Sequence, residues 1–539
     1  MPGASLPDTF ASVKGSGGSV RFLPRAAALI AAFSIASIAD GALAAERARP
    51  ASARPASTPL AARLEAALSM RALSGATVSA LVVSRSDGRV LYERASDRPL
   101  VPASNEKILT ALAALATFGP AHRFTTRVLA DAPPDAAGAV GTLYLRGGGD
   151  PALTSEDWWR LAAELRAGGL RRVRGDLVVD DSFFDAERWH PDWGAVTERA
   201  YFGPVSALSA NYGAFTVEVV PGAAPGTPAR VAIDPPLGYF LLANRATTGP
   251  PHRRAQLAVD RETTPQGESV VVSGTVPAGS EPTRIYRSVS DATLYAGAVL
   301  AWQLGAQGVE VGGRVRRGAS PDPGRELLAF EGRPLAEIVR LFMKHSNNTI
   351  AEGLVKAIGA EQSGPPGSWS RGVDALVARL RALGLPLEGA HIVDGSGLSR
   401  SNRVTARLLV GALLAADRSF AFGPEFESAL PIAATDGTLT HRARGAAGAV
   451  RAKTGSLDGV HSLSGYAALP AGGEAVFSVL VNGAPTGDLA AIRALDGFAA
   501  ALVQGIGAPP AQEVAPRETG EAPAAADQEP AGGGAERSQ

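Results

Sequence analysis

The sequence predicts an α+β protein in which an antiparallel sheet flanked by helices is split by a large β-rich insert. Near the amino terminus, a helical run precedes two strand-like runs and a second helix; near the carboxyl terminus, strand-like runs precede a last helix. Between these two regions, about 200 residues form short β-branched runs broken by Gly, Pro and Asp. A segment of that length far exceeds a loop, so we expect it to fold as one or two extra domains.

Local patterns place each element of the sheet domain. Apolar spacing favours a helix over 60–73, and Asp87-Gly88 between apolar runs favours a hairpin of strands 77–84 and 89–93. Ser104 and Asn105 favour a helix that begins close to Ser104. After the insert, the pattern predicts helices at 335–343, 350–358 and 488–506, and strands at 446–450, 460–469 and 475–481.

We predict six segments along the chain. They are a signal peptide (1–44), a linker (45–59), the first part of the sheet domain (60–122), the insert (123–330), the second part of the sheet domain (331–506) and a disordered tail (507–539). Basic residues, an apolar run at 26–39 and the small residues Ala42 and Ala44 indicate a cleaved export signal. An uncleaved anchor is the alternative, although the run is short for a bilayer span. We therefore expect a periplasmic protein with at most peripheral membrane contact.

Composition excludes several kinds of function. Lys and Arg number 52, and so do Asp and Glu, so no net charge favours nucleic acid. The chain has no cysteine, which excludes a thiol nucleophile and thiolate metal sites. Its seven histidines are scattered without a His-Glu-x-x-His pair, which argues against a metallopeptidase. We expect no metal and no cofactor.

The first chemical motif is Ser104-x-x-Lys107. If a helix begins near Ser104, these residues lie three apart on one face, so the Lys107 amine reaches the Ser104 hydroxyl. A serine becomes a good nucleophile when a neighbour accepts its proton, and a buried lysine of lowered pKa does so. Taken alone, the motif is also typical of a serine N-cap followed by a surface lysine.

Two further motifs follow in the chain. Ser346 and Asn348 lie between two amphipathic helices, where they are either a helix cap or a proton relay and a carbonyl ligand. Lys453-Thr454-Gly455-Ser456 lies among the carboxyl-terminal strands. On an edge strand, Lys453 would present a cation to a cleft, and Gly455 would let substrate approach the backbone.

Together the motifs match a known signature. Ser-x-x-Lys, a central Ser-x-Asn and Lys-Thr-Gly, in this order, are typical of penicillin-binding proteins and class A β-lactamases. The stretches 102–107, 149–151, 206–209 and 394–400 resemble the class C low-molecular-mass penicillin-binding proteins, the D-alanyl-D-alanine carboxypeptidase/endopeptidase family. The resemblance spans about 60–505 and implies a penicillin-binding transpeptidase/β-lactamase-like domain split by the insert.

The resemblance implies a role for each motif residue. Ser104 would attack the carbonyl of the penultimate D-alanine, and Lys107 would take its proton. Ser346 and Asn348 would relay the leaving-group proton and hold the peptide. Lys453 and Thr454 would bind the terminal carboxylate, with Gly455 and Ser456 lining the cleft and the Ser104 and Ser456 N–H groups forming the oxyanion hole.

The resemblance also implies recognition of a diaminopimelate-like side chain. Its amino end would pair with Asp180, or with Asp181 in its place, and its carboxylate with Arg400. On their own, these aspartates indicate turns and surface charge. Acidic Asp458 stands where some relatives carry an amide.

The expected function is therefore a serine-type D,D-peptidase that acts on peptidoglycan stem peptides and is acylated by β-lactams. Trimming of terminal D-alanine and cleavage of cross-links attack the same D-alanyl carbonyl, so both stay open, as does the oligomeric state. The alternatives are a serine β-lactamase-like hydrolase and a non-catalytic peptidoglycan-binding homologue. A Ser-His-Asp esterase is disfavoured because no Gly-x-Ser-x-Gly elbow occurs.

Overall fold

A computed structural model describes residues 59–504, except 266, 471 and 485–487. The predicted signal peptide and tail, and the linker up to residue 58, lie outside the described residues. Among the helices within these limits, none has both the length and the apolar character needed to cross a bilayer.

The elements of the described chain fall into three groups. Those before the insert are α1 Leu60–Leu68, β1 Thr77–Ser84, β2 Val90–Arg94 and α2 Glu106–Phe118. Those of the middle region are β3 Arg123–Ala130, β4 Ala139–Val140, β5 Leu143–Arg146, α3 Ser155–Ala167, β6 Arg172–Val173, β7 Leu177–Asp180, β8 Ala214–Val220, β9 Arg230–Asp234, β10 Phe240–Gly249, β11 Gln256–Thr264, β12 Gly267–Pro277, β13 Thr283–Ser288, α4 Ala292–Ala306, β14 Glu310–Val311, β15 Val315–Arg317 and β16 Arg325–Pro334. Those after it are α5 Leu335–His345, α6 Asn348–Ser363, α7 Trp369–Ala382, α8 Ala406–Asp417, α9 Gly423–Ala429, β17 Val450–Leu457, β18 Val460–Ala468, β19 Glu474–Asn482 and α10 Asp488–Val503.

The central sheet joins the two ends of the sheet domain. Its strands lie in the order β17-β18-β19-β1-β2 and all pair antiparallel. Leu64 of α1 and Phe498 of α10 pack with Phe477 in a fully buried cluster against one face. A second cluster joins α2 to helices α5–α8 and contains Leu81 of β1. Because apolar side chains cover both faces, the predicted α+β class with a helix-flanked antiparallel sheet is confirmed.

Several predicted element boundaries are wrong, and at two of them a turn stands where a regular element was predicted. The strand expected at 446–450 begins only at Val450 and continues through the third motif to Leu457, because residues 444–446 form a 3-10 turn instead. The first helix ends at Leu68, where the Ser69 N–H closes its last turn, and a separate 3-10 turn follows at 71–73. Both errors concern short runs in which turn and regular element have similar local patterns.

The middle region carries four sheets. One has five strands in the order β15-β7-β5-β3-β16, and the other three have three strands each. The region also contains helices α3 and α4, which the sequence analysis did not predict. The predicted bounds of the insert and of the other segments stay a prediction.

Candidate active site

Ser104 lies in a 3-10 turn that leads into α2, and the turn is fixed to the central sheet. The Ser462 hydroxyl donates to the Pro102 carbonyl at 2.6 Å, and the Asn105 amide donates to Ser464 Oγ at 2.7 Å. Ala103 has a left-handed φ of 48°, an uncommon conformation for a residue with a Cβ. The surrounding contacts thus hold a strained turn that presents a half-buried Ser104 hydroxyl.

Lys107 is fully buried one turn into the helix and makes three hydrogen bonds. Its Nζ lies 3.0 Å from Ser104 Oγ, 2.7 Å from Asn348 Oδ1 and 2.7 Å from the Ser396 carbonyl oxygen. The spacing of three residues in the first motif therefore brings amine and hydroxyl together.

The surroundings of Lys107 favour its neutral form. Burial lowers the pKa of Lys107 to about 7, although the nearby carboxyl groups of Glu352, Asp394 and Glu106 oppose the shift. A neutral amine has two N–H bonds and one lone pair. Because the oxygens of Asn348 and Ser396 are both acceptors, they take the two N–H bonds and leave the lone pair for the Ser104 hydroxyl.

The second motif lies where α5 ends and α6 begins. Ser346 has a left-handed φ of 58° and joins the two helices, while Asn347 caps α6 by accepting from the Ile350 N–H. Asn348 therefore begins the helix, and its Nδ2 donates to the Tyr201 carbonyl at 3.0 Å. This contact turns Oδ1 of Asn348 toward Lys107.

The third motif lies on β17, which is the edge strand of the central sheet. Lys453 is fully buried, and its Nζ donates to Ser346 Oγ at 2.9 Å. The Ala452 N–H points away from β18, because it donates to the Pro431 carbonyl. Since N–H groups alternate sides along a strand, the N–H of Ser456 also points away from the sheet.

Charge and hydroxyl contacts complete the third motif. Burial, followed by the charges of Lys107 and Arg442, holds the pKa of Lys453 well below its usual range. Thr454 Oγ1 donates to Thr438 Oγ1 at 2.7 Å, and Ser456 Oγ lies 3.0 Å from His461 Nδ1. The three motifs thus meet in one connected cluster.

Gly455 packs closely against the Ser104 turn, and its place in substrate binding stays a prediction. A Cβ at this position would overlap Ser462 Oγ and stand 2.8 Å from the Pro102 carbonyl oxygen. It would also stand 3.0 Å from the Ser104 nitrogen. Because Gly455 has no side chain, the backbone of the Ser104 turn can lie directly against it.

The aspartates predicted to bind a substrate side chain lie outside this cluster. Asp180 is buried, and its carboxylate accepts from the backbone N–H groups of Ser182 and Ser320 and from the Ser320 hydroxyl. Asp181 pairs with Arg188 at 2.5 Å and with Arg317 at 2.6 Å. The expectation of exposed charge is therefore wrong, whereas the Ser182 N–H contact of Asp180 agrees with the expected turn. The role of both aspartates in binding stays a prediction.

Arg400 lies beside the third motif. It is exposed, and its Nη2 donates to the Asp458 carbonyl at 2.8 Å, just past the end of β17. That contact leaves other guanidinium N–H groups for a ligand.

Sequence reasoning missed several groups that surround Lys107. They are the carbonyls of Tyr201 and Ser396 and three fully buried carboxyl groups, Glu106, Glu352 and Asp394. No residue pattern marks a backbone carbonyl as a ligand. Glu352 could have been noticed, because it lies four residues after Asn348 and hence on the same helix face.

Comparison of the sequence with known proteins relates the chain to one family. A profile described as the D-Ala-D-Ala carboxypeptidase 3 (S13) family matches residues 60–502. The chain belongs to this family. It is 41% identical over 430 residues to a D-alanyl-D-alanine carboxypeptidase of Actinomadura sp. (strain R39), covering 76% of this chain and 79% of the relative. It is 27% identical over 433 residues to D-alanyl-D-alanine carboxypeptidase DacB of Haemophilus influenzae, covering 78% and 88% of the two chains.

A solved structure agrees with membership in the S13 family. Penicillin-binding protein 4 (dacB) of Haemophilus influenzae matches with a TM-score of 0.69 and 25% identity, over 81% of this chain and 97% of that one. A second structure of that protein, in complex with a β-lactam, matches with a TM-score of 0.65. The predicted enzyme class, a serine-type D-Ala-D-Ala carboxypeptidase of the penicillin-binding kind, is confirmed.

Proposed function

We propose that this S13 enzyme cleaves the D-alanyl-D-alanine ends of peptidoglycan stem peptides, and D-alanyl cross-links between them, through an acyl-enzyme on Ser104. The observation that carries the proposal is the hydrogen bond between Lys107 Nζ and Ser104 Oγ, in surroundings that leave the amine lone pair to the hydroxyl. The export signal predicted over 1–44 supports a periplasmic site of action.

In the acylation step, Lys107 takes the Ser104 proton while Oγ attacks the carbonyl carbon of the penultimate D-alanine. The developing oxyanion is stabilised by the N–H groups of Ser104 and Ser456. The outward direction of the Ser456 N–H and the short approach of Gly455 to the Ser104 turn support this assignment. Loss of one such donor typically costs about 10²- to 10³-fold in rate.

Ser346 and Lys453 serve the leaving group and the terminal carboxylate. Ser346 passes a proton to the leaving D-alanine nitrogen, and Lys453, hydrogen-bonded to Ser346, supplies positive charge for the carboxylate together with Thr454. In the free enzyme the pKa of Lys453 is held low by burial, and a bound carboxylate raises it again. Substrate binding thus favours uptake of a proton from solvent by Lys453, which gives this side chain its charge.

Water then attacks the acyl-enzyme and frees Ser104 to complete hydrolysis. β-Lactams present a similar carbonyl and carboxylate, and we propose that they acylate the same serine. The β-lactam complex of the Haemophilus penicillin-binding protein 4 supports this proposal.

We further propose that Arg400 binds the carboxylate end of a diaminopimelate-like side chain. Its exposure and its position beside Asp458 support the proposal. For the amino end, Asp180 would need to exchange hydrogen bonds that it makes within the insert, and the same holds for Asp181.

The test is to incubate the mature protein with a fluorescent penicillin and to locate the label by peptide mass spectrometry, with Ser104→Ala as control. A stable adduct on Ser104, together with release of D-alanine from stem peptides, is the expected result. Rapid penicillin hydrolysis that needs Ser104, without a stable adduct, would instead identify a β-lactamase. A folded protein with neither adduct nor hydrolysis would favour a binding protein.

A further inference from the structure

Glu352 lies on α6, one turn after Asn348. It is fully buried, and both of its carboxylate oxygens accept hydrogen bonds. Its Oε1 accepts from the Ser396 N–H at 2.7 Å, and its Oε2 accepts from the Gly395 N–H at 3.1 Å. Trp369 Nε1 donates to Oε2 at 2.8 Å. A single carboxylate thus holds two successive backbone amides.

The segment that Glu352 holds is the one that contacts Lys107. The Ser396 carbonyl accepts from Lys107 Nζ at 2.7 Å, and the neighbouring Gly395 carbonyl accepts from Thr110 Oγ1, also at 2.7 Å. A peptide group is planar, so the Ser396 N–H that Glu352 accepts fixes the Gly395 carbonyl, which lies in the same plane. The Ser396 carbonyl shares its plane with the Gly397 N–H, which donates to Asp394 Oδ1 at 2.8 Å. Glu352 thus holds the peptide group before Ser396, and Asp394 holds the one that carries the Ser396 carbonyl. Helix α6 therefore supplies one acceptor of Lys107 through Asn348 and, through Glu352, holds the residue that carries the other.

We propose that Glu352 is a positioning residue for acylation. It holds Ser396 in place so that, with Asp394 fixing the next peptide group, the Ser396 carbonyl meets Lys107 and the amine lone pair faces Ser104. This inference rests on the proposed roles of Ser104 and Lys107. A buried carboxylate is costly unless its oxygens accept hydrogen bonds, and burial alone does not specify which donors supply them. Here two of the three donors are backbone amides of the turn that contacts Lys107, the proposed general base.

The carboxylate also influences the charge of Lys107. The charged groups that face Lys107 are Glu352, Asp394 and Glu106, with Lys453 across the cleft. Burial, followed by the charge of Asp394, raises the pKa of Glu352 above its usual range, and the ionised form of Glu352 favours the protonated form of Lys107. Removing the charge at Glu352 therefore lowers the pKa of Lys107, whereas removing the hydrogen bonds misdirects the lone pair.

The variant Glu352→Gln removes both the charge and one acceptor, and its pH profile of acylation separates the two effects. The glutamine amide has one acceptor oxygen in place of two. Either the Ser396 N–H, or the N–H groups of Gly395 and Trp369, must therefore face its NH₂ group and lose their acceptor. We expect the maximal rate constant of acylation to fall about 10- to 100-fold, as for a misplaced reacting group. We expect the acid limb of its pH profile to move to lower pH, because the amine stays neutral over a wider range.

The measurement is the second-order rate constant of labelling by a fluorescent penicillin, taken from about pH 5.5 to about pH 9.5. Each rate constant is divided by the concentration of active sites, which is the amount of protein labelled after a long incubation. This normalisation makes the result independent of any unfolded fraction. The control is Trp369→Phe, which removes one donor to Glu352 but leaves both backbone amides bonded, and should change the maximum by less than about twofold. If Glu352→Gln does not fold, Glu352→Asp, which withdraws both oxygens by one methylene, should also lower the maximum relative to the unchanged protein.

Several results overturn the inference. One is a maximum for Glu352→Gln within about twofold of the unchanged protein. Another is a lower maximum with an unmoved acid limb, which a general weakening of the fold would produce. A third is an equal loss in Trp369→Phe. If the unchanged protein is not labelled at Ser104, the proposed function itself fails, and this outcome is distinct from the other three.

Discussion

Gly455 of the edge strand lies directly against the backbone of Ser104. The ideal Cβ position on Gly455 stands 3.0 Å from the Ser104 nitrogen, closer than side chains tolerate without a shift. The strand that carries Lys453 and the turn that carries Ser104 are therefore in contact through backbone atoms, and their separation is set by the smallest residue.

The first prediction concerns this contact. Gly455→Ala must push β17 and the Ser104 turn apart, which widens the space between the two proposed oxyanion donors. We expect the rate constant of acylation by penicillin to fall at least about 100-fold. The control is Gly305→Ala on α4, where a Cβ meets nothing within 4 Å and a helix gains stability. A Gly455→Ala enzyme that is acylated at the normal rate would show that the donors lie elsewhere.

The second prediction concerns pH. With the pKa of Lys107 at about 7, the neutral amine forms as pH rises, so acylation should speed up through about pH 7 and level off above about pH 8. Asn348→Asp places a carboxylate within hydrogen-bond distance of the amine, which raises the pKa of Lys107. The midpoint should then move up by about one pH unit.

Asn347→Asp is the matched control for this pH shift. Asn347 caps α6 through the Ile350 N–H, and aspartate caps a helix equally well. Its new charge does not bond to Lys107, so the midpoint should move clearly less. Equal shifts in the two variants would contradict the direct contact of Asn348 with the base.

The third prediction concerns the substrate side chain. Arg400→Ala should lower turnover of peptides with diaminopimelate at the third position about tenfold, because a charge-assisted hydrogen bond is lost. Acylation by a simple penicillin should not change, and exposed Arg98→Ala should affect neither reaction. Peptide kinetics on both variants test this, and unchanged turnover of the diaminopimelate peptides in Arg400→Ala would refute the assignment.

The fourth prediction concerns the ion pair between the fully buried Lys356 and the partly exposed Asp185. Lys356 Nζ lies 2.6 Å from Asp185 Oδ1, 2.6 Å from the Glu187 carbonyl and 3.7 Å from the centre of the Trp369 ring. Asp185→Asn leaves this buried ammonium without its counter-ion and should cost about 3 kcal/mol of unfolding free energy. The double variant with Lys356→Met should cost less, since no unpaired charge remains.

Urea unfolding followed by tryptophan fluorescence measures these costs. Asp176→Asn is the control, because it breaks a more exposed pair with Arg316 and should cost clearly less than Asp185→Asn. A double variant less stable than the single one would contradict the reasoning from unpaired charge.

Sequence reasoning succeeded where the relevant contact is local. Ser104 and Lys107 are three residues apart, so helical spacing alone predicts their contact. Lys107 and Asn348 are 241 positions apart, so no local spacing predicts their contact. The Ser396 carbonyl could not be predicted from the sequence, because every residue has one and only the fold selects which of them meets the base.

The same distinction explains the elements that were missed. Helix α3 begins with a capping box formed by Thr154 and Asp157, and Trp158, Leu161 and Leu165 are buried along one face. This helical pattern is present in the sequence, but it lies among short β-branched runs that favoured strands over the whole region. Ser320 and Arg317, which pair with Asp180 and Asp181, are distant in sequence, so the burial of these aspartates depends on tertiary packing.

The pairing of β1 with β19 bears on when the enzyme first becomes active during its synthesis. The Val101 N–H, close to the Ser104 turn, donates to Asn482 Oδ1, and these two residues stand 381 positions apart. A growing polypeptide therefore carries its nucleophile out of the ribosome long before the strand that completes the sheet exists. Contacts between residues so far apart form slowly, because a long loop must close first. Nascent chains should remain catalytically silent until nearly the whole domain has been translated.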